Sequence, residues 1–163
     1  MINLTEMAAE KNWPALKAVA HLFELELEYR RQNRIAICFK KSKLTEKPTI
    51  DQFDFNYHRS RKEQKSKILE LISLSFLNHK ADVILIGNPG TGKSFLAKCI
   101  AYQATQAGKK VLFTTAMDMI NHLIAAEADL SLLKKLYLYQ SQDLLVIDEI
   151  GYLPLGHKGS NLF

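Results

Sequence analysis

Residues 83–94 read Val-Ile-Leu-Ile-Gly-Asn-Pro-Gly-Thr-Gly-Lys-Ser, and the order of these residue types decides the fold class. A short unbroken apolar run suits a strand buried on both faces of a parallel sheet. Gly87 to Ser94 then complete the pattern Gly-x-x-x-x-Gly-Lys-Ser/Thr. The spacing beyond it predicts a helix from about Lys93 to Ala107, stopped by Gly108 as a left-handed cap. Working outward, Val111-Leu112-Phe113 reads as a second buried strand. Thr115 with Asp118 then reads as a capping box, opening a helix whose apolar face is Ile120, Leu123 and Ile124. A shorter helix is expected near Leu130–Tyr139, and Leu144-Leu145-Val146-Ile147 supplies a third strand. Strands alternating with helices imply right-handed crossovers and a parallel sheet.

The glycine loop specifies a chemistry. Gly87, Gly90 and Gly92 can take positive φ, which lets successive backbone N–H groups turn inward as an anion nest, with the helix N-terminus adding its positive end. Asn88, Pro89 and Thr91 complete that loop. Lys93 is placed to reach the β- and γ-phosphates and Ser94 to ligate Mg²⁺. Residues 144–149, Leu-Leu-Val-Ile-Asp-Glu, bring two acids to the carboxyl end of a buried strand, where open α/β sheets put their ligands. Asp148 is expected to hold Mg²⁺ through water, and Glu149 to act as general base on the attacking water. The expected cofactors are therefore ATP and Mg²⁺. A base for water points to hydrolysis and against a small-molecule kinase, which is the enzyme alternative. The five histidines are scattered without metal-ligand spacing beside Cys38 and Cys99, so no zinc site is expected.

Upstream the character changes. From Pro14, Leu16, Val19, Ala20, Phe23 and Leu27 recur at helical spacing and lead into a basic cluster. In that cluster Arg30, Arg31, Arg34, Lys40, Lys41, Lys43 and Lys47 face only Glu46. The whole chain has 163 residues and a net charge of +5. Residues 1–81 carry 15 basic and 10 acidic groups, against 7 of each in residues 82–163, so the surplus belongs to the first half. That asymmetry points to sequence-independent contact with DNA through the N-terminal segment; the bland alternative is a solvated helix face. Lys43–Phe55 loses periodicity and reads as a linker, and residues 61–77 regain a helical stripe at Ile68, Leu71, Ile72 and Phe76. The expected organisation is a basic helical segment over 1–45, a linker over 46–60 and an ATP-binding core over 61–163. A chain that is 47% hydrophobic can form a core, which excludes a disordered chain. It has no run long enough to span a membrane and no recognisable signal peptide, so a cytoplasmic location is expected.

With GNPGTGKS, VLFTTAMDMINHL and LLVIDEIGYLPL in that order, the chain resembles the IstB-like ATP-binding proteins. These are AAA+ helpers of insertion-sequence transposases, related to the DnaC helicase loader. Thr49–Phe55 resembles the family's linker, and the stretch around Leu25–Arg34 its N-terminal segment. The resemblance implies a three-layer P-loop AAA+ α/β domain behind a helical N-terminal segment. It further implies ATP-dependent assembly as a homo-oligomer on DNA, and delivery to a transposase or replicative helicase. It carries the phosphate and Mg²⁺ roles onto Lys93 and Ser94, and the acidic roles onto Asp148 and Glu149. Two departures stand out. Gly156, followed by His157, replaces an acid usual in the family. The chain also ends at Phe163, 15 residues beyond Asp148, with Gly159–Phe163 reading as a helix beginning. In the family's strand order, 5-1-4-3-2, the fourth strand with its sensor, the fifth strand, the arginine finger and the lid would all follow. A truncated member is therefore expected, one that binds ATP, hydrolyses it poorly and leaves a gap in its sheet. The non-catalytic alternative is a DNA- or partner-binding fragment with a vestigial nucleotide site.

Overall fold

A computed structural model of the chain describes residues 13–152. The sequence features at Gly156, His157 and Gly159–Phe163, and the first twelve residues, lie outside the described residues. Helix α1 spans Ala15–Lys41, followed by a single 3₁₀ turn at Ile50–Gln52. Short helices α2 (Arg59–Glu63), α3 (Lys65–Ile72) and α4 (Ser75–Asn78) come next. Then follow α5 (Lys93–Gln106), β1 (Val111–Thr115), α6 (Ala116–Ala128), α7 (Leu132–Gln140) and β2 (Leu144–Asp148). A 3₁₀ turn at Ile150–Tyr152 closes the described chain.

The sheet consists of β1 and β2 in parallel, in the register Val111↔Leu144 to Thr115↔Asp148. The pair starts where the Lys110 amide donates to Asp143 Oδ2 at 2.7 Å and the Asp143 amide donates back to the Lys110 carbonyl at 2.9 Å. In the strand order expected from the resemblance these are neighbours, the second and third strands. Residues 83–86 are not a strand, contrary to the sequence expectation. They form no ladder, and Ile84 and Ile86 are 80% and 90% exposed. A strand exists only by pairing, and in that order the neighbours of the first strand are the fourth and fifth; none of the described residues takes either place.

The core lies between α5, β1 and the stretch from the end of α1 to the start of α4. Leu96, Ile100, Ala101 and Ala104 of α5 pack with Val111, Ile68, Leu74, Leu44 and Phe53. Each fully buried aliphatic side chain of this kind contributes about 1.5–3 kcal/mol. Cys99 is 2% exposed in this helix, and burial pushes its thiol up to about 11, so it stays protonated at neutral pH. A second, smaller cluster joins Leu112, Leu123 and Tyr139 under α6 and α7.

Several local expectations hold in detail. Gly108 takes φ +70 and ends α5, with its amide on Thr105 O and the Lys109 amide on Ala104 O. Thr115 caps α6 by accepting from the Asp118 amide at 3.1 Å. Other expectations need revision. The stripe over 61–77 is three short helices rather than one, because the chain breaks at Gln64 and again at Leu74, a buried residue with φ +63. Lys43–Phe55 is irregular as expected, yet Leu44 and Phe53 are buried in the main cluster. The end of α1 docks on β1: the Phe113 amide donates to Ser42 O at 2.9 Å, covering an edge that would otherwise stand open.

Candidate nucleotide site

The site forms where α5 begins beside the carboxyl end of β2. Gly92 caps α5 with φ +87 and Gly90 has φ +78, both in the left-handed region where a side chain is strained. The amides of Gly90, Gly92, Lys93 and Ser94 have no hydrogen-bond partner among the described residues. A row of free donors at a helix N-terminus is the electrostatic requirement for holding phosphate. Thr91 Oγ1 donates to Asn88 O at 2.8 Å and tightens the turn around Pro89 and Gly90. Gly87 opens the loop; a Cβ on it would lie 3.3 Å from Thr91 Oγ1. The Lys93 ammonium folds over the loop onto Gly87 O (2.8 Å) and Asn88 O (2.9 Å), at the mouth of the nest.

Ser94 and Asp148 come from segments 54 residues apart, and their side chains meet, with Ser94 Oγ 3.1 Å from Asp148 Oδ1. The same carboxylate oxygen accepts the Glu149 amide at 2.9 Å. Parallel pairing of β1 with β2 sets this up, since Asp148 sits at the last register position, opposite the residue that caps α6. Two hard oxygens at that separation suit a magnesium ion that keeps its waters and takes phosphate oxygens as further ligands. No group of three or more His, Cys, Asp or Glu among the described residues could cage a metal unaided, and a magnesium ion completed by substrate phosphate needs no such cage. Glu149 is exposed and takes φ +61, which turns the chain as it leaves the strand. All the sequence-derived site residues thus converge on one end of the β2–α5 unit.

Sequence reasoning did not single out Arg61. This half-buried guanidinium donates through Nε to Thr91 O at 2.9 Å and through Nη1 to Asp54 O at 3.0 Å, with Nη2 3.5 Å from Gly90 O. It lies against two rings, 4.5 Å from the centroid of Phe53 and 4.9 Å from that of Tyr57. No motif marks an arginine 30 residues before the loop, and among Arg59, Lys62, Lys65 and Lys67 nothing in the sequence sets it apart. An open groove of about 470 Å³, lined by Asp51, Asp54, Phe55, Lys62 and Lys65, adjoins the site through Phe53, and no residue of the phosphate loop lines it.

The sequence profile of a family described as IstB-like ATP binding protein matches residues 1–163. A protein of insertion sequence IS5376 from Geobacillus stearothermophilus, named for ATP binding, is 37% identical over 152 residues. That alignment covers 93% of this chain and 60% of the relative. The similarly named protein of insertion sequence IS21 from Pseudomonas aeruginosa is 31% identical over 161 residues, covering 99% of this chain and 60% of the relative. The replicative helicase loader DnaC of Buchnera aphidicola is 29% identical over 106 residues, 63% of this chain and 42% of that protein. The chain therefore spans about 60% of the length of its insertion-sequence relatives.

Proposed function

This chain belongs to the IstB-like ATP-binding proteins, and on that premise we propose that it binds Mg-ATP through Gly87–Ser94 as a helper of insertion-sequence transposition. The observation that carries the reading is the meeting of Ser94 Oγ with Asp148 Oδ1 at 3.1 Å, directly beneath a loop whose amides are free. Ser94 and Asp148 would hold the magnesium ion, which would neutralise charge on the phosphates. Lys93 leaves its two loop carbonyls for the β- and γ-phosphates, and the free amides take the remaining oxygens. Glu149, at the exit of β2, would accept the proton of the water that attacks the γ-phosphorus in the assembled protein, as the bond to the β–γ bridging oxygen breaks and ADP leaves. Nucleotide binding is coupled to homo-oligomeric assembly on DNA and to engagement of a transposase; the likeness to a helicase loader supports a partner of that kind. The DNA contact is sequence-independent and lies on the basic end of α1. The setting is the cytoplasm; among the described residues no helix is long and apolar enough to cross a membrane.

Isothermal calorimetry on the purified chain tests the central claim. Wild type is expected to bind Mg-ATP and Mg-ADP, and Lys93→Ala to show no measurable affinity. Equal affinity of the two proteins would refute the assignment.

A further inference from the structure

Arg61 reaches the phosphate loop from outside the Gly-x-x-x-x-Gly-Lys-Ser pattern, and its contacts bear on how the loop is shaped. Its best hydrogen bond, 2.9 Å from Nε, goes to the carbonyl of Thr91. In a trans peptide the carbonyl and the following N–H point in opposite directions, and the described chain has no cis bond. Holding Thr91 O against Arg61 therefore aims the Gly92 N–H away from it and leaves it, with the other free amides of the loop, available to an anion. Nη2 lies 3.5 Å from Gly90 O, one peptide earlier, and Nη1 ties the same guanidinium to Asp54 O at 3.0 Å. The rings of Phe53 and Tyr57 restrain the planar group from two further contacts. Gly92 is matched to this docking, because a Cβ there would lie 2.8 Å from Arg61 Nη2 and 2.9 Å from Phe53 Cε2.

We propose that Arg61 is a positioning residue for nucleotide binding, holding the Thr91–Gly92 peptide so that the loop keeps its anion-receptive shape. This rests on the nucleotide reading above and adds to it a residue outside the motifs. A group that only anchored α2 to the core would affect stability and leave phosphate affinity alone. Lysine is a poor substitute, since one ammonium cannot reproduce the planar fork that reaches both Thr91 O and Asp54 O.

Titration of Mg-ADP and of inorganic pyrophosphate into wild type, Lys93→Ala, Arg61→Ala and Arg61→Lys decides it. Charge-assisted hydrogen bonds are at stake, so Arg61→Ala is expected to weaken both ligands by the same factor, roughly ten- to a hundredfold, with Arg61→Lys in between. Wild-type affinity in Arg61→Ala overturns the proposal. So does a loss confined to ADP, which would put Arg61 on the base rather than the loop. Should Arg61→Ala fail to fold, wild-type pyrophosphate affinity in Arg61→Lys overturns it, and a several-fold loss supports it. Wild type that binds neither ligand, or Lys93→Ala that binds like wild type, would instead sink the nucleotide reading itself.

Discussion

Gly92 and Gly90 both take positive φ, yet they answer to different constraints. A methyl group on Gly90 would meet nothing within 4 Å, whereas on Gly92 it would strike Arg61 and Phe53. Gly90→Ala thus carries only the left-handed backbone cost, about 1–2 kcal/mol. Gly92→Ala adds the displacement of a side chain held by two carbonyls and two rings, so it should exceed Gly90→Ala by about 1 kcal/mol or more. Urea denaturation of the two variants checks this; equal midpoints would mean that Arg61 yields without cost. The acidic pair divides in the same way. Asp148 is held by Ser94 and by a backbone amide, while the exposed Glu149 side chain has no hydrogen bond among the described residues. That leaves the Glu149 carboxylate unengaged, as the proposed role of base toward water requires.

Among the elements, α1 forms as the sequence reads it, a helix running into the basic cluster, yet it docks over only part of its length. Its 27 residues make a rod of about 40 Å. Only its second half docks, through Cys38, Phe39 and the Arg34 Nε bond to Gly108 O at 2.9 Å. The stripe Leu16, Val19, Phe23 and Leu27 is left exposed, between 46% and 82%. The basic cluster is also less free than its count suggests. Arg30 pairs with Glu26 at 2.7 Å and Arg31 with Glu28 at 4.0 Å, acids one turn earlier that dilute the local field. Arg34 is committed to α5, and Lys47 lies over the Phe39 ring. Lys40, Lys41 and Lys43 remain as candidates for the proposed contact with DNA phosphates. If three or four charges engage, the logarithm of DNA affinity should fall against that of salt with a slope of roughly −3 to −4. Counting every cation of the cluster would give a steeper slope. A salt titration on unrelated duplexes measures it, with Lys40, Lys41 and Lys43 neutralised together in one variant. Binding that is flat with salt or indifferent to that variant would place DNA contact elsewhere.

For the molecule as a whole, the arginines limit what this polypeptide can do alone. The sequence has five, and none follows Arg61. Arg30, Arg31 and Arg59 are paired with acids of their own helices, Arg34 holds the end of α5, and Arg61 holds the loop before it. None is left to reach a neighbour's γ-phosphate without giving up a contact, and such a finger typically contributes 10³–10⁵ in rate. The purified 163-residue polypeptide is therefore expected to bind ATP with turnover at background, unchanged by Glu149→Gln. Robust phosphate release that this substitution abolishes would contradict the expectation. The two docked arginines have a structural corollary: Arg34 of α1 and Arg61 of α2 hold opposite ends of α5, so these three helices belong to one packed body.

The phosphate loop, its helix, both paired strands and the acids at their end were legible in the sequence. Glycine at fixed offsets, short apolar runs and caps such as Thr115 and Gly108 encode local geometry that neighbours in sequence can enforce. Tertiary structure alone decided three things. It left residues 83–86 without a ladder, since pairing depends on which strands lie alongside and not on apolar composition. It buried Phe53 and Leu44 of the irregular stretch, because a residue's burial is set by what packs over it. It also brought Arg61 to the loop across 30 residues. A side chain's reach to a distant carbonyl follows from the packing of α3 on α5, and no spacing rule in the sequence records it.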